Sequence, residues 1–235
     1  MSMIISIVHP DGIVMAADRA RSRHIIAQDM NYLWALIQDK NLQKAVVDSH
    51  TNGDNLSFCY TNTEIKIQTF KNNIAVSSGG MWQTKGGSLN SHVDHFFNTH
   101  DFKTPREAAE ALLEYIKTKH PNLKSGFHVC GYNPANGDTP PRPCMYFVNT
   151  LEYKLEAIGE NGNTGIFQHA ANNSMIEFSK ALANNISGLT LQDMVEYAAF
   201  AIKSSAMYEK YVLSSNRIQG LDILVITPNK TEWVK

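Results

Sequence analysis

Four residues in the first third of the chain carry groups that acyl-transfer chemistry uses: Ser2, Asp18, Lys66 and Gly80. Removal of Met1 would leave Ser2 with both a hydroxyl and a free α-amine. A serine hydroxyl is a poor nucleophile at neutral pH and needs a base; an α-amine, with a reference pKa of about 7.7–8.0, is nearly poised for that task. A lysine beside the pair favours the alkoxide and disfavours charge on the amine, and an aspartate such as Asp18 suits holding that lysine by a charge-assisted hydrogen bond. A glycine ending a strand lets the backbone approach a substrate with no side chain in the way, which makes Gly80 the candidate N–H donor to an oxyanion. Each residue also has an ordinary structural use: Ser2 as a small second residue, Asp18 as a turn cap, Lys66 as a solvated strand lysine, and Gly79-Gly80 as a turn; a Lys66 that faces the site instead is expected to contribute little to packing.

The elements that must position these groups are legible in the pattern. Residues 3–8 and 12–18 are apolar, β-branched runs joined by Pro10-Asp11-Gly12, and read as a hairpin. A second hairpin spans about 64–70 and 73–78, turned by Lys71-Asn72-Asn73. On its first strand Lys66, Gln68 and Phe70 share one face, and Ile65, Ile67 and Thr69 the other. A helix is expected over about 88–99, and Thr104-Pro-Arg-Glu107 is a capping box with proline at the first helical position, opening a helix to about Lys119. Strands follow at about 126–132, 144–149 and 154–158. The stretch from about Gly165 to Asn185 reads as helical, Thr190-Leu-Gln-Asp193 opens a helix to about Tyr208, and Asp222–Thr227 is a last strand before a short Glu232-Trp-Val tail. This order suits two sheets between helical layers.

The opening hairpin ending at Asp18, with Glu64–Gly80, resembles the proteasome β-subunit branch of the N-terminal-nucleophile hydrolases. In that family an aspartate lies sixteen positions after the N-terminal threonine, and a strand lysine lies fourteen before an oxyanion-hole glycine. Ser2 to Asp18 and Lys66 to Gly80 repeat both spacings. The resemblance implies an α+β fold, a four-layer αββα sandwich over residues 1–235 as one domain. It also implies that the four residues meet in space, and that subunits assemble into a homo-oligomeric ring.

Two stretches depart from the family. Asp18 and Lys66 lie much further apart than the family's sixteen or so, which places an insertion at about 28–61. Part of it, Met30–Val47, has a helix-like apolar pattern; a substrate-facing lid, a ring contact and an inert decoration are all open. The family's supporting serine-glycine pair falls on Asn161-Gly162 or Thr164-Gly165. Its later aspartate and serine fall near Glu209 and on Ser214 or Ser215.

Composition sets the remaining bounds. The chain of 235 residues is 43% hydrophobic, enough for a large core, and carries a net charge of −1, which argues against nucleic acid or anionic membrane as partner. Its charged content of 18%, against about 25% in typical domains, suits a surface partly buried by neighbours. No run approaches the roughly 18 apolar residues of a membrane span, and the start is unlike a signal peptide, so the cytoplasm is the expected location. Cys59, Cys130 and Cys144 read as reduced thiols. His92, His95 and His100 lack a further ligand cluster and read as solvated helix residues, so neither metal nor cofactor is expected. Phosphate-loop, dinucleotide, nucleophile-elbow and zincin motifs do not occur.

The expected activity is hydrolysis of peptide or other amide bonds through an acyl-enzyme, threonine-type endopeptidase chemistry with serine as the nucleophile. The competing expectation is a catalytically inactive, proteasome α-like structural subunit that keeps Met1. Neither the substrate nor an ATPase or regulatory ring is specified by the sequence.

Overall fold

The computed structural model describes residues 3–19, 21–25, 56–61, 65–80, 83–84, 87–135, 137, 139–170, 186–211 and 220–234. The opening hairpin forms as its turn residues require: β1 (Met3–His9) runs antiparallel to β2 (Gly12–Ala17), with His9 opposite Gly12 and Ile4 opposite Ala17. Every residue of both strands is buried, so they read as apolar runs, interrupted in β1 only by Ser6 before the terminal His9; both faces of this hairpin meet a core.

After it come β3 (Arg21–Ile25), β4 (Leu56–Thr61), β5 (Ile67–Thr69), β6 (Ala75–Gly80), β7 (Gln83–Thr84) and β8 (Gly87–Ser88), then helices α1 (Leu89–Thr99) and α2 (Pro105–Lys119). The remaining elements are β9 (Ser125–Asn133), β10 (Arg142–Asn149), β11 (Lys154–Ile158), β12 (Gly165–Ala170), α3 (Leu191–Tyr211), β13 (Asp222–Ile226) and β14 (Thr231–Val234). The first sheet has the order β12-β1-β2-β13-β14 and the second β11-β10-β9-β6-β5, antiparallel throughout.

Strand parity sorts the side chains into three cores. Ile4 and Val8 of β1, Met15 of β2 and Leu224 of β13 meet Ala75, Cys130 and Met145 of the second sheet, forming the core between the sheets. The alternate residues Met3, Ile5, Val14 and Ile223 pack on Met194, Ala198 and Ile202 of α3. On the second sheet Val76, Phe127, Val129 and Tyr146 pack on Val93 and Phe97 of α1 and Leu112 and Ile116 of α2. Because both faces of β1 are covered, a one-residue slip would exchange the residues of the two cores and would cost fit between side chains rather than burial.

The helix starts follow their caps. The Thr104 hydroxyl accepts from Glu107 N at 3.1 Å, and the Thr190 hydroxyl accepts from Asp193 N at 3.2 Å while the Asp193 carboxylate accepts from Thr190 N at 2.8 Å. The Lys71–Asn73 turn of the second hairpin puts Asn72 and Asn73 at φ 59° and 54°, a conformation asparagine tolerates better than most residues.

Three elements differ from expectation. The Gly165–Asn185 stretch opens with strand β12, because its apolar residues zip against β1 from Val8 to Met3; residues 171–185 lie outside the described residues. The tail contains an edge strand, β14, paired with β13 from Ile223–Val234 to Ile226–Thr231. The end of the 28–61 insertion is β4, which pairs with β3 as a separate two-stranded ribbon; the expected helix over 30–47 lies outside the described residues.

Candidate functional site

Asp18 follows the last residue of β2, where its backbone N–H still donates to Met3 O at 3.2 Å. Its side chain is fully buried and has both oxygens engaged. Oδ1 accepts from the backbone N–H of Met3 at 2.7 Å, and Oδ2 accepts from Lys66 Nζ at 2.8 Å. The residue that follows Ser2 is therefore tied to the carboxylate that holds the lysine. Ser2 itself lies outside the described residues, as do Ser214 and Ser215 and the side chain of Glu209.

Lys66 immediately precedes β5 and is only 5% exposed. This corrects the expectation of a lysine with little structural weight: it is half of a buried ion pair. The expected apolar row beside it shrinks to Ile67, which enters the core between the sheets, while Ile65 is exposed. Two contacts hold the lysine's backbone: Ser78 N donates to Lys66 O at 3.1 Å, and Asn90 Nδ2 donates to Ile65 O at 2.7 Å. Asn90, in the first turn of α1, also accepts from Ser78 Oγ at 3.1 Å, bracing both strands that flank Lys66. The sequence marks Asn90 only as a polar residue near a helix start.

Gly80 ends β6, opposite Ser125, with φ at +115°. A side chain there would be strained, and a Cβ would lie 2.6 Å from Lys124 O and 2.8 Å from Ser125 Cα. N–H groups alternate along a strand, so the Gly80 amide falls on the same edge as that of Ser78, the edge facing Lys66, at a level where β5 has ended. Gly80 is exposed.

Asp18, Lys66 and Gly80 thus lie at one end of the two sheets, beside the start of β1. The serine-glycine substitutes do not. Val8 pairs with Gly165, five residues along β1 from Met3, which puts Thr164-Gly165 and the preceding Asn161-Gly162 roughly 17 Å or more away at the opposite end. The neighbour of Met3 on β12 is Ala170, a position that the expected helix over 165–185 concealed.

A buried polar row runs inward from this end. Ser6 Oγ and His128 Nδ1 are 2.8 Å apart, Cys130 Sγ donates to Ser6 Oγ at 3.7 Å, and the His128 and His169 rings stack with centroids 6.4 Å apart. Burial, reinforced by His169, holds His128 well below the ordinary histidine pKa, and burial also lowers His169. Cys130 and Cys144 are free thiols, and burial pushes Cys144 up to about 12, so neither is a nucleophile at neutral pH. Cys59 lies in β4, with its side chain outside the described residues.

Among the described residues no group of three or more His, Cys, Asp or Glu is placed to hold a metal ion, and no helix is long and apolar enough to cross a membrane. His92 packs edge-on against His120, and His100 Nδ1 lies 2.7 Å from Phe96 O. No protein-family model matches the chain, and no curated protein matches it.

Proposed function

We propose that this chain is an N-terminal-nucleophile hydrolase of the proteasome β-subunit type, an αββα sandwich that cuts peptide or other amide bonds with Ser2 after loss of Met1. The observation that carries this reading is the Asp18 carboxylate, fully buried and shared between Lys66 Nζ at 2.8 Å and the Met3 amide at 2.7 Å. A buried ion pair is costly to build and gives little net stability over an apolar pair, so one beside the chain start invites a chemical explanation.

In the proposed reaction Ser2 Oγ attacks the carbonyl carbon of the scissile amide and its proton passes to the Ser2 α-amine. The Lys66 ammonium stabilises the developing alkoxide and, by like-charge repulsion, keeps the amine a base. The Gly80 N–H donates to the oxyanion. Collapse of the tetrahedral intermediate breaks the C–N bond, the leaving amine takes the proton from the α-ammonium, and an ester to Ser2 remains. Water, deprotonated by the same amine, hydrolyses that ester and returns Ser2 Oγ–H. We further propose that the subunits close into a ring in the cytoplasm.

A panel of fluorogenic peptide amides tests the reading. Turnover by protein that begins at Ser2, lost in Ser2→Ala, is the expected result; turnover unchanged in Ser2→Ala would overturn Ser2 as the nucleophile, and no turnover of any substrate would leave the α-like structural subunit as the better description.

A further inference from the structure

We propose that Arg19 and Asp222 form a positioning clamp that aims the Asp18 carboxylate, an inference whose functional part rests on the hydrolase reading above. Asp18 makes two directional bonds with one carboxylate, and such a group must be held to about 0.5 Å to make both. Both of its chain neighbours are tied to the same residue. Ala17 pairs with Asp222 in the β2–β13 ladder, and Arg19 donates from Nε to Asp222 Oδ1 at 2.8 Å and from Nη2 to the same oxygen.

The seat for the arginine is built. Asp222 is buried, with its side chain 8% exposed, whereas that of Arg19 is 47% exposed. Two residues before Asp222, Gly220 has φ +70°, and a Cβ there would lie 2.8 Å from Arg19 Cβ and 3.1 Å from its Cγ. The arginine stem therefore lies against a glycine in the left-handed region, where a Cβ would collide with it, and its fork ends on a buried carboxylate. An exposed ion pair worth a few tenths of a kcal/mol would not need such a seat. Gly220-Leu221-Asp222 and Arg19 lock the backbone on the far side of Asp18, as the β1–β2 ladder locks it on the near side.

The test compares wild type, Arg19→Met, Arg19→Lys and the charge-neutral double variant Arg19→Met/Asp222→Asn as full chains. Hydrogen exchange at the Met3 amide reads the grip of Asp18 directly, and the Ile5 and Ile7 amides on the same strand report general loosening. The rate at which a peptide β-lactone acylates Ser2 is the second readout. The clamp predicts Met3 exchange about tenfold faster in Arg19→Met with Ile5 and Ile7 unchanged, and acylation slowed by a similar factor. It predicts partial recovery in Arg19→Lys. In the double variant Met3 exchange stays fast even where the melting temperature returns, because removing the stranded charge does not restore the tether. Unchanged Met3 exchange in Arg19→Met, or exchange that rises equally at Met3, Ile5 and Ile7, overturns the proposal. A wild-type Ser2 that never acylates, with Met3 exchange still responding to Arg19→Met, supports the clamp and sinks the hydrolase reading instead.

Discussion

Lys66→Ala is the substitution whose consequence the structure quantifies best. Lys66 and Asp18 are 5% and 0% exposed and joined at 2.8 Å. Removing the ammonium leaves the Asp18 carboxylate in the interior, with the Met3 N–H as its remaining described partner. Breaking one side of a buried pair in this way costs about 3–5 kcal/mol, far more than loss of an exposed ion pair, which costs at most about 1 kcal/mol. Urea unfolding followed by far-ultraviolet circular dichroism, at fixed protein concentration, is therefore expected to show a loss of about 3–5 kcal/mol for Lys66→Ala. Asp18→Asn/Lys66→Met, which removes both charges and keeps the lysine's bulk, is expected to recover most of that loss while remaining inactive. A Lys66→Ala stability within about 1 kcal/mol of wild type would refute the reasoning, because it would mean that the pair is solvated rather than buried.

Three other outcomes follow from the same geometry. His128 is buried and held neutral, so the unfolded chain takes up a proton that the folded chain refuses; stability is expected to fall as pH drops below about 6.5, by up to about 1.4 kcal/mol per pH unit, and His128→Asn should flatten that slope in urea titrations between pH 7 and 5. Gly80→Ala places a Cβ 2.6 Å from Lys124 O at φ +115°, so steady-state kinetics should show kcat reduced by about 10²-fold or more, and thermal melts should show lowered stability. Light scattering is expected to give the mass of a closed oligomer at micromolar concentration, and a monomer there would remove the ring from the proposal.

Elements whose signals are local are legible in the sequence, and those fixed by distant partners are not. The Pro10-Asp11-Gly12 and Lys71-Asn72-Asn73 turns, the Thr104 and Thr190 caps and the apolar runs of β1, β2 and β13 are decided within a few residues, and each formed at the expected place. Strand β12 was concealed because Gly165–Ala170 is stabilised by pairing with β1, about 160 positions earlier, and has little intrinsic preference to declare. Edge strand β14 was hidden for the same reason, since Glu232 and Trp233 are exposed and form no alternating apolar row. The Asp18–Lys66 contact was expected from a resemblance in spacing, yet the burial that changes the meaning of Lys66 arises from tertiary packing. Asn90 showed only as a polar residue near a helix start, and the Met3 amide and the Arg19–Asp222 pair left no local mark: a backbone donor has no side chain to read, and the ion pair spans 203 positions.

Intact mass spectrometry of natively purified protein, before and after treatment with a peptide β-lactone or epoxyketone, tests the central claim most directly. The account predicts a chain that begins at Ser2 and gains a single adduct, which peptide mapping places on Ser2 and which Ser2→Ala abolishes. A chain that keeps Met1 and gains no adduct, or one labelled equally with Ser2 replaced by alanine, would contradict it.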